Sequence, residues 1–182
     1  RDEDEVFLFE DRASKIQLVV FNQNEEPIRD ASISLVMPNP DGLHVADKLP
    51  KIKRDEQFIE RTPLEQSSYP AVSLRKNAVQ VAVKLGDIPP GEPIEVFESP
   101  LRVCAGSRMK GRRIGIQYAL YAQNLRQNVN GKLRLQFLEG FVKIGWSLIA
   151  AVTPGIFITA PRFIPGHVSA PLLPPAVCPG DS

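Results

Sequence analysis

Histidine and cysteine are scarce in this chain, which has two of each among 182 residues. A metal centre wants convergent ligands from several segments, and His44 and His167 alone do not supply them. Asp41, His44 and Asp47 in DGLHVADK read as a polar turn. Cys104 and Cys178 lie far apart, one of them in a proline-rich stretch. That is no disulfide framework, and it favours a reducing, cytoplasmic setting. Cys104 continues an apolar run and reads as a small core residue rather than a nucleophile. Phosphate loops are absent, since neither GxxxxGK(S/T) nor GxGxxG occurs. A net charge of +1 excludes a global field that would draw in nucleic acid or membrane, so any basic surface is local. Sustained helical periodicity and internal repeats are missing too. The chain begins at Arg1 without the regions of a signal peptide, and reads as a piece of something longer. These absences point away from an enzyme, and no catalytic, cofactor-binding or metal-binding residue is expected.

What is present is alternation. Residues 110–137 read KGRRIGIQYALYAQNLRQNVNGKLRLQF. Ile114, Ile116, Tyr118, Leu120 and Ala122 alternate with Gly115, Gln117, Ala119, Tyr121 and Gln123. Leu133, Leu135 and Phe137 alternate with Lys132, Arg134 and Gln136. A period of two turns one set toward a core and the other toward water. Asn130-Gly131 is the strongest short hairpin signal, because a type I′ turn needs positive φ at both central residues. A turn there pairs Val129 with Lys132 and sets Asn124 opposite Phe137. A bulge around 124–127 would re-aim Leu125 inward.

Upstream, residues 1–5 are a charge run that reads as a solvated end. Residues 6–9 fit a short edge strand, and IQLVVFN over 16–22 fits one strand in the middle of a sheet. Residues 31–37 alternate with Ile33, Leu35 and Met37 inward, and Pro38 stops the ladder. Residues 39–70 form a long charged connection with one short strand near Phe58, a natural place for binding residues. Val79, Val81, Val83 and Leu85 mark a half-buried strand. Residues 94–96 and 101–104 add one or two more, broken at Pro100. The whole reads as an all-β, Ig-like antiparallel β-sandwich over residues 13–139. A charged linker or edge precedes it over 1–12, and an apolar, proline-rich tail follows over 140–182.

The segment IQLVVFNQNEEPIRDASISLVMPNPDGL resembles the opening hairpin of Ig-like modules of the bacterial cell-adhesion-related (CARDB-type) class. There a strand leads through a polar turn to an Ala-x-x-x-Leu strand that ends at proline. Glu25-Glu26-Pro27 stands where those modules have a turn glycine. The cadence of YPAVSLRKNAVQVAVKLGDIPPGEPIEVFESPLRVCAGSRMKGRRIGIQY is similar to β-sandwich domains that follow Schlafen/AlbA-type DNA-binding domains in some bacterial proteins. The resemblance implies an accessory domain of a larger bacterial protein and carries over no functional residue.

After Gly140 the composition changes. Residues 144–161 carry no charged side chain, about the ~18 that a membrane span requires. Pro154-Gly155 in the middle argues against a simple helix. The alternatives are an extra hairpin turning at Pro154-Gly155, a membrane segment over 141–161 that would anchor the chain, or polyproline and disorder beyond Arg162.

Arg102, Arg108, Lys110, Arg112, Arg113, Arg126, Lys132 and Arg134 form a basic cluster with hardly an acid among them. Lys132 and Arg134 project from the wet side of the last strand, and Tyr121 shares the outward face of its own. Arg108, Lys110, Arg112, Arg113, Tyr121, Lys132 and Arg134 are the candidate contacts to a partner. That partner is a protein or another domain of the same polypeptide. The alternative is nucleic acid, held through phosphate contacts and base stacking. A basic edge also discourages sheet-to-sheet aggregation, and Glu92, Glu95 and Glu98 are available to pair with it. The expected function is a non-enzymatic accessory domain that mediates protein–protein contact, or else a nucleic-acid-binding module using 108–134.

Overall fold

The computed structural model describes residues 2–138 in full, with the backbone of residues 141–146 and 156–159. Strands make up 51% of the structure and helical turns 13%, so the protein is all-β, built of mostly antiparallel strands in several sheets. In chain order the strands are β1 (Ser14–Ile16), β2 (Val19–Asn22), β3 (Ile28–Pro38), β4 (Leu43–Val45), β5 (Ile52–Arg54), β6 (Gln57–Ile59), β7 (Ala71–Leu74), β8 (Ala78–Ile88), β9 (Pro93–Glu95), β10 (Leu101–Ala105), β11 (Arg113–Tyr121), β12 (Val129–Leu138), β13 (Phe141–Trp146) and β14 (Ile156–Thr159). Two short helices, α1 (Asp2–Val6) and α2 (Pro63–Ser67), accompany them.

A six-stranded sheet runs β13-β12-β11-β3-β8-β7; two three-stranded sheets run β1-β10-β4 and β14-β2-β9, and β5 and β6 pair with each other. The inward rows meet in one buried cluster. Ile33, Leu35, Met37, Val79, Val81, Ile116, Leu120, Leu133, Leu135 and Phe137 come from the large sheet, and Ile16, Val20, Leu101 and Val103 from the smaller ones. These are the residues that a period of two turns inward. Each large aliphatic side chain so buried contributes about 1.5–3 kcal/mol before chain entropy offsets most of it.

The turn of the central hairpin is not at Asn130-Gly131. Both residues lie inside β12, where Asn130 is opposite Ala119 and Gly131 opposite Tyr118. The chain reverses instead over 122–128, between Leu120 and its partner Val129. Asn124 organises that loop. Its side chain accepts from Arg29 N at 2.9 Å and donates to Pro27 O at 2.9 Å. A glycine is needed at 131 for a different reason. A Cβ there would meet the ring of Tyr118, coming within 2.7 Å of Cε1 and nearer still to Cζ and Oη. Glycine in a strand often marks such a close approach.

The continuous run 16–22 is two strands in two sheets. Gln17 sits at the break and its side chain stands in for a strand partner. Its Nε2 donates to Phe97 O at 2.6 Å, and its Oε1 accepts from Phe97 N and Leu18 N, each at 3.0 Å. The segment 6–9 is not a strand: Asp2–Val6 is helical and Phe7–Asp11 continues as a π-helical turn. Four acids in the first turn suit the positive end of a helix. Residues 39–70 are more ordered than a bare connection, holding β4, the β5–β6 pair and α2. Thr62 and Glu65 cap α2 reciprocally: Glu65 N donates to Thr62 Oγ1 at 3.2 Å and Thr62 N to Glu65 Oε2 at 2.8 Å. The bonds that Thr62 N and Thr62 Oγ1 donate to Glu65 Oε2, each at 2.8 Å, hold the Glu65 carboxyl below its ordinary range.

The type I′ pattern does occur, between β5 and β6. Asp55 (φ 48°) and Glu56 (φ 66°) fill the two loop positions between paired Arg54 and Gln57. A side chain in the left-handed region is strained. Replacing the pair by Asn-Gly is expected to raise stability by about 1 kcal/mol, read as a higher urea midpoint at unchanged slope.

In the tail, β13 pairs with β12 and β14 pairs with β2. The two strands therefore extend different sheets and do not form a hairpin with each other. Pro154-Gly155 and residues 160–182 lie outside the described residues. Among the described residues, no helix is long and apolar enough to cross a membrane.

Candidate interaction surface

The outward rows of the large sheet define the candidate surface. Across β11 and β12, Arg113 is opposite Gln136, Gly115 opposite Arg134, and Gln117 opposite Lys132. On its other side Arg134 is opposite Gly145 of β13. Arg134 thus rises between two glycines. The space above Gly115 is open, with nothing within 4 Å of where a Cβ would be. Same-face residues two apart on a strand are roughly 6.6 Å apart, so Arg113, Arg134 and Lys132 form one compact row. Across β3 the same face continues with small or uncharged residues: Val36 is opposite Gln117 and Ser34 opposite Ala119.

The structure gathers only part of the basic cluster. Arg112 has the opposite strand parity and sits at the sheet's end, where its carbonyl accepts from Phe137 N at 3.1 Å. Arg108 and Lys110 lie on the Ser107–Met109 turn and just after it. Arg108 is close to Gly42, whose Cβ position would be 3.6 Å from that of Arg108. Tyr121 is on the outward face but opposite Ser32, at the far end of β11 from Arg113, roughly 26 Å along the strand. It does not sit between the cations. Arg102 leaves the surface altogether: it is only 6% exposed.

Charge is segregated. Among the described residues no ion pair involves Arg112, Arg113, Lys132 or Arg134. Glu92 and Glu98 do not reach them, and Glu95 accepts from Gln17 Nε2 at 3.3 Å. The acids that do pair are elsewhere. Glu10 Oε1 lies 2.6 Å from Arg61 Nη2 and 3.1 Å from Arg102 Nη2. Asp2 and Glu60 lie 2.8 and 2.9 Å from Lys51 Nζ. Hydrogen bonds donated to those two carboxylates hold the Lys51 ammonium above its usual range.

The group around Glu10 carries no sequence signal. Its members are 51 and 92 residues apart, and neither period nor motif joins them. Tyr69 belongs to the same group. Its hydroxyl accepts from Arg102 N and donates to Ala46 O, each at 3.1 Å. Burial pushes its phenol pKa up.

His44 lies on β4, opposite Cys104 on β10. Among the described residues no three of His, Cys, Asp and Glu cluster as metal ligands. Cys104 is 1% exposed. Comparison with protein-family models, with curated proteins and with solved structures finds no match to this chain.

Proposed function

We propose that this chain is a non-enzymatic accessory module of a larger bacterial protein, with an Ig-like sandwich arrangement of the CARDB type, and that it holds a protein partner against the outer face of its large sheet. One observation carries the reading. Arg113, Arg134 and Lys132 share an open face, flanked by glycine, without a compensating acid among the described residues. Cations left unpaired on a flat surface favour an anionic partner and steer its approach. Antiparallel sheets sharing one core support the sandwich frame.

The same unpaired row favours a second reading, contact with a nucleic-acid backbone. Titration with duplex and single-stranded DNA over a range of salt separates the two. An Arg113→Glu/Arg134→Glu chain that binds DNA as well as the parent ends the second reading. For the first, a photo-crosslinker at Gln117 in the host cell should capture a protein, and the charge-reversed chain should lose it.

Gly115→Val offers an uncharged check. Glycine weakens a strand interior by roughly 0.5–1 kcal/mol, so the variant should be slightly more stable while its side chain blocks the face. Unchanged partner capture by Gly115→Val would move the contact elsewhere. A screen for hydrolase activity with and without divalent metal tests the non-enzymatic reading. We read the setting as cytoplasmic, where reductants keep thiols reduced. Cysteine alkylation in intact cells, read by mass spectrometry, tests that reading.

A further inference from the structure

Away from the sheet face, the chain buries an arginine whose donors are only partly used. Arg102 is 6% exposed, and its Nε has no hydrogen-bond partner among the described residues. Its Nη1 reaches Ser99 Oγ and Pro100 O only at 3.4 Å. Its Nη2 meets a single carboxylate oxygen, Glu10 Oε1, at 3.1 Å. The other Glu10 oxygen faces Lys15 Nζ at 3.7 Å. A guanidinium presents Nε and Nη2 as a fork that fits both oxygens of one carboxylate. Glu10 engages half of it. Arg61 adds a second donor, Nη2, 2.6 Å from the same Oε1.

Tyr69 braces Arg102 through its hydroxyl, and the Tyr69 ring lies 5.8 Å from the guanidinium carbon. Residues 2–11 join no sheet. Val6 is their buried side chain, while Phe7 stays 41% exposed. Phe9 packs in part against the core, and charge adds the rest: Asp2 to Lys51 at 2.8 Å, Glu3 to Lys53 at 3.9 Å, and Glu10 to the two arginines. Of these, the Glu3–Lys53 pair is exposed, contributes little and is screened by salt, whereas the Glu10 pairs are largely buried. A polar cavity of about 230 Å³ remains beside Asp2 and Glu5, lined also by Lys48, Lys51 and Gln66.

We propose that Arg61 and Arg102 form a carboxylate-binding site which residues 2–11 fill in cis through Glu10, and that an acidic segment of a partner protein displaces them. The occupant already present defines the ligand: carboxylates spaced like Asp2 and Glu10 around an apolar residue like Val6. The inference rests on the interaction-module reading but uses a separate surface.

The test uses the full chain and a fluorescent peptide, DEDEVFLFED, as probe. Glu10→Gln removes the cis carboxylate. That chain should bind the peptide at least about tenfold more tightly than the parent, whose site is mostly occupied. The peptide with its own second-last Glu changed to Gln should not bind. Adding Arg61→Gln to the Glu10→Gln chain should abolish binding. Equal binding to parent and Glu10→Gln, no binding to Glu10→Gln, or indifference to the peptide's Glu would each overturn the proposal. A second measurement needs no variant. Excess peptide should speed amide exchange of residues 2–12 in the parent, and unchanged exchange would also overturn it. The Arg113→Glu/Arg134→Glu chain should keep the peptide response, so failure of the sheet-face reading and failure of this one are told apart.

Discussion

Gly131→Ala is expected to lower stability by about 3 kcal/mol, the upper range for forcing extra volume into a packed site. The added methyl has nowhere to go. Its position is 2.7 Å from Tyr118 Cε1 and closer to Cζ and Oη, and that ring is only 8% exposed. Tyr118 and Gly131 are direct cross-strand partners, so neither strand can shift without breaking the ladder. The check is a double-mutant cycle by urea denaturation. Tyr118→Ala alone is destabilising, but Gly131→Ala added to it should cost much less than in the parent. If Asn130-Gly131 were a type I′ turn, Gly131→Ala would cost through φ alone, and changing Tyr118 would not relieve it. Zero coupling would therefore restore the turn and remove the observed register.

Asn22→Ala should also cost about 3 kcal/mol, because it strands the buried carbonyl of Ile88 and weakens two part-buried bonds, an unsatisfied group costing roughly 1–3 kcal/mol. Asn22 is fully buried at the end of β2. Its Nδ2 donates to Glu26 O at 2.9 Å and Ile88 O at 3.3 Å, and its Oδ1 accepts from Asn24 N at 3.0 Å. Its own carbonyl accepts from Gly91 N at 2.8 Å. The side chain thus ties the β2–β3 turn to the end of β8, and the backbone bond adds the turn beyond it. Asn124→Ala is the control: its partners Arg29 N and Pro27 O are at the surface, where water replaces the lost bonds. Equal losses for the two variants would mean that Asn22 is not the buried tie described.

The contrast between these asparagines shows where local reading succeeds and fails. Asn130-Gly131 has the stronger turn chemistry, yet it is strand. Asp55-Glu56 has weak turn chemistry, yet it is the two-residue turn with positive φ. Turn propensity amounts to about 1 kcal/mol. It loses when a register buries Leu120, Leu133, Leu135 and Phe137 together and seats Tyr118 over a glycine. The basic surface was legible in part for the same reason. Strand parity places Arg113, Lys132 and Arg134 outward, but it says nothing of Arg102, which sits on a strand whose residues 101–104 are all buried.

Alternation alone determined which side of each strand meets the core, because a side chain's face depends only on odd or even position. The true hairpin register differs from the expected one by an even number of residues, so every inward residue stayed inward. Which strands are neighbours, where the central hairpin turns, and how Glu10 comes to lie between Arg61 and Arg102 were decided by the tertiary structure. Those outcomes rest on contacts between residues tens of positions apart, whose energy appears only once the chain has closed on itself.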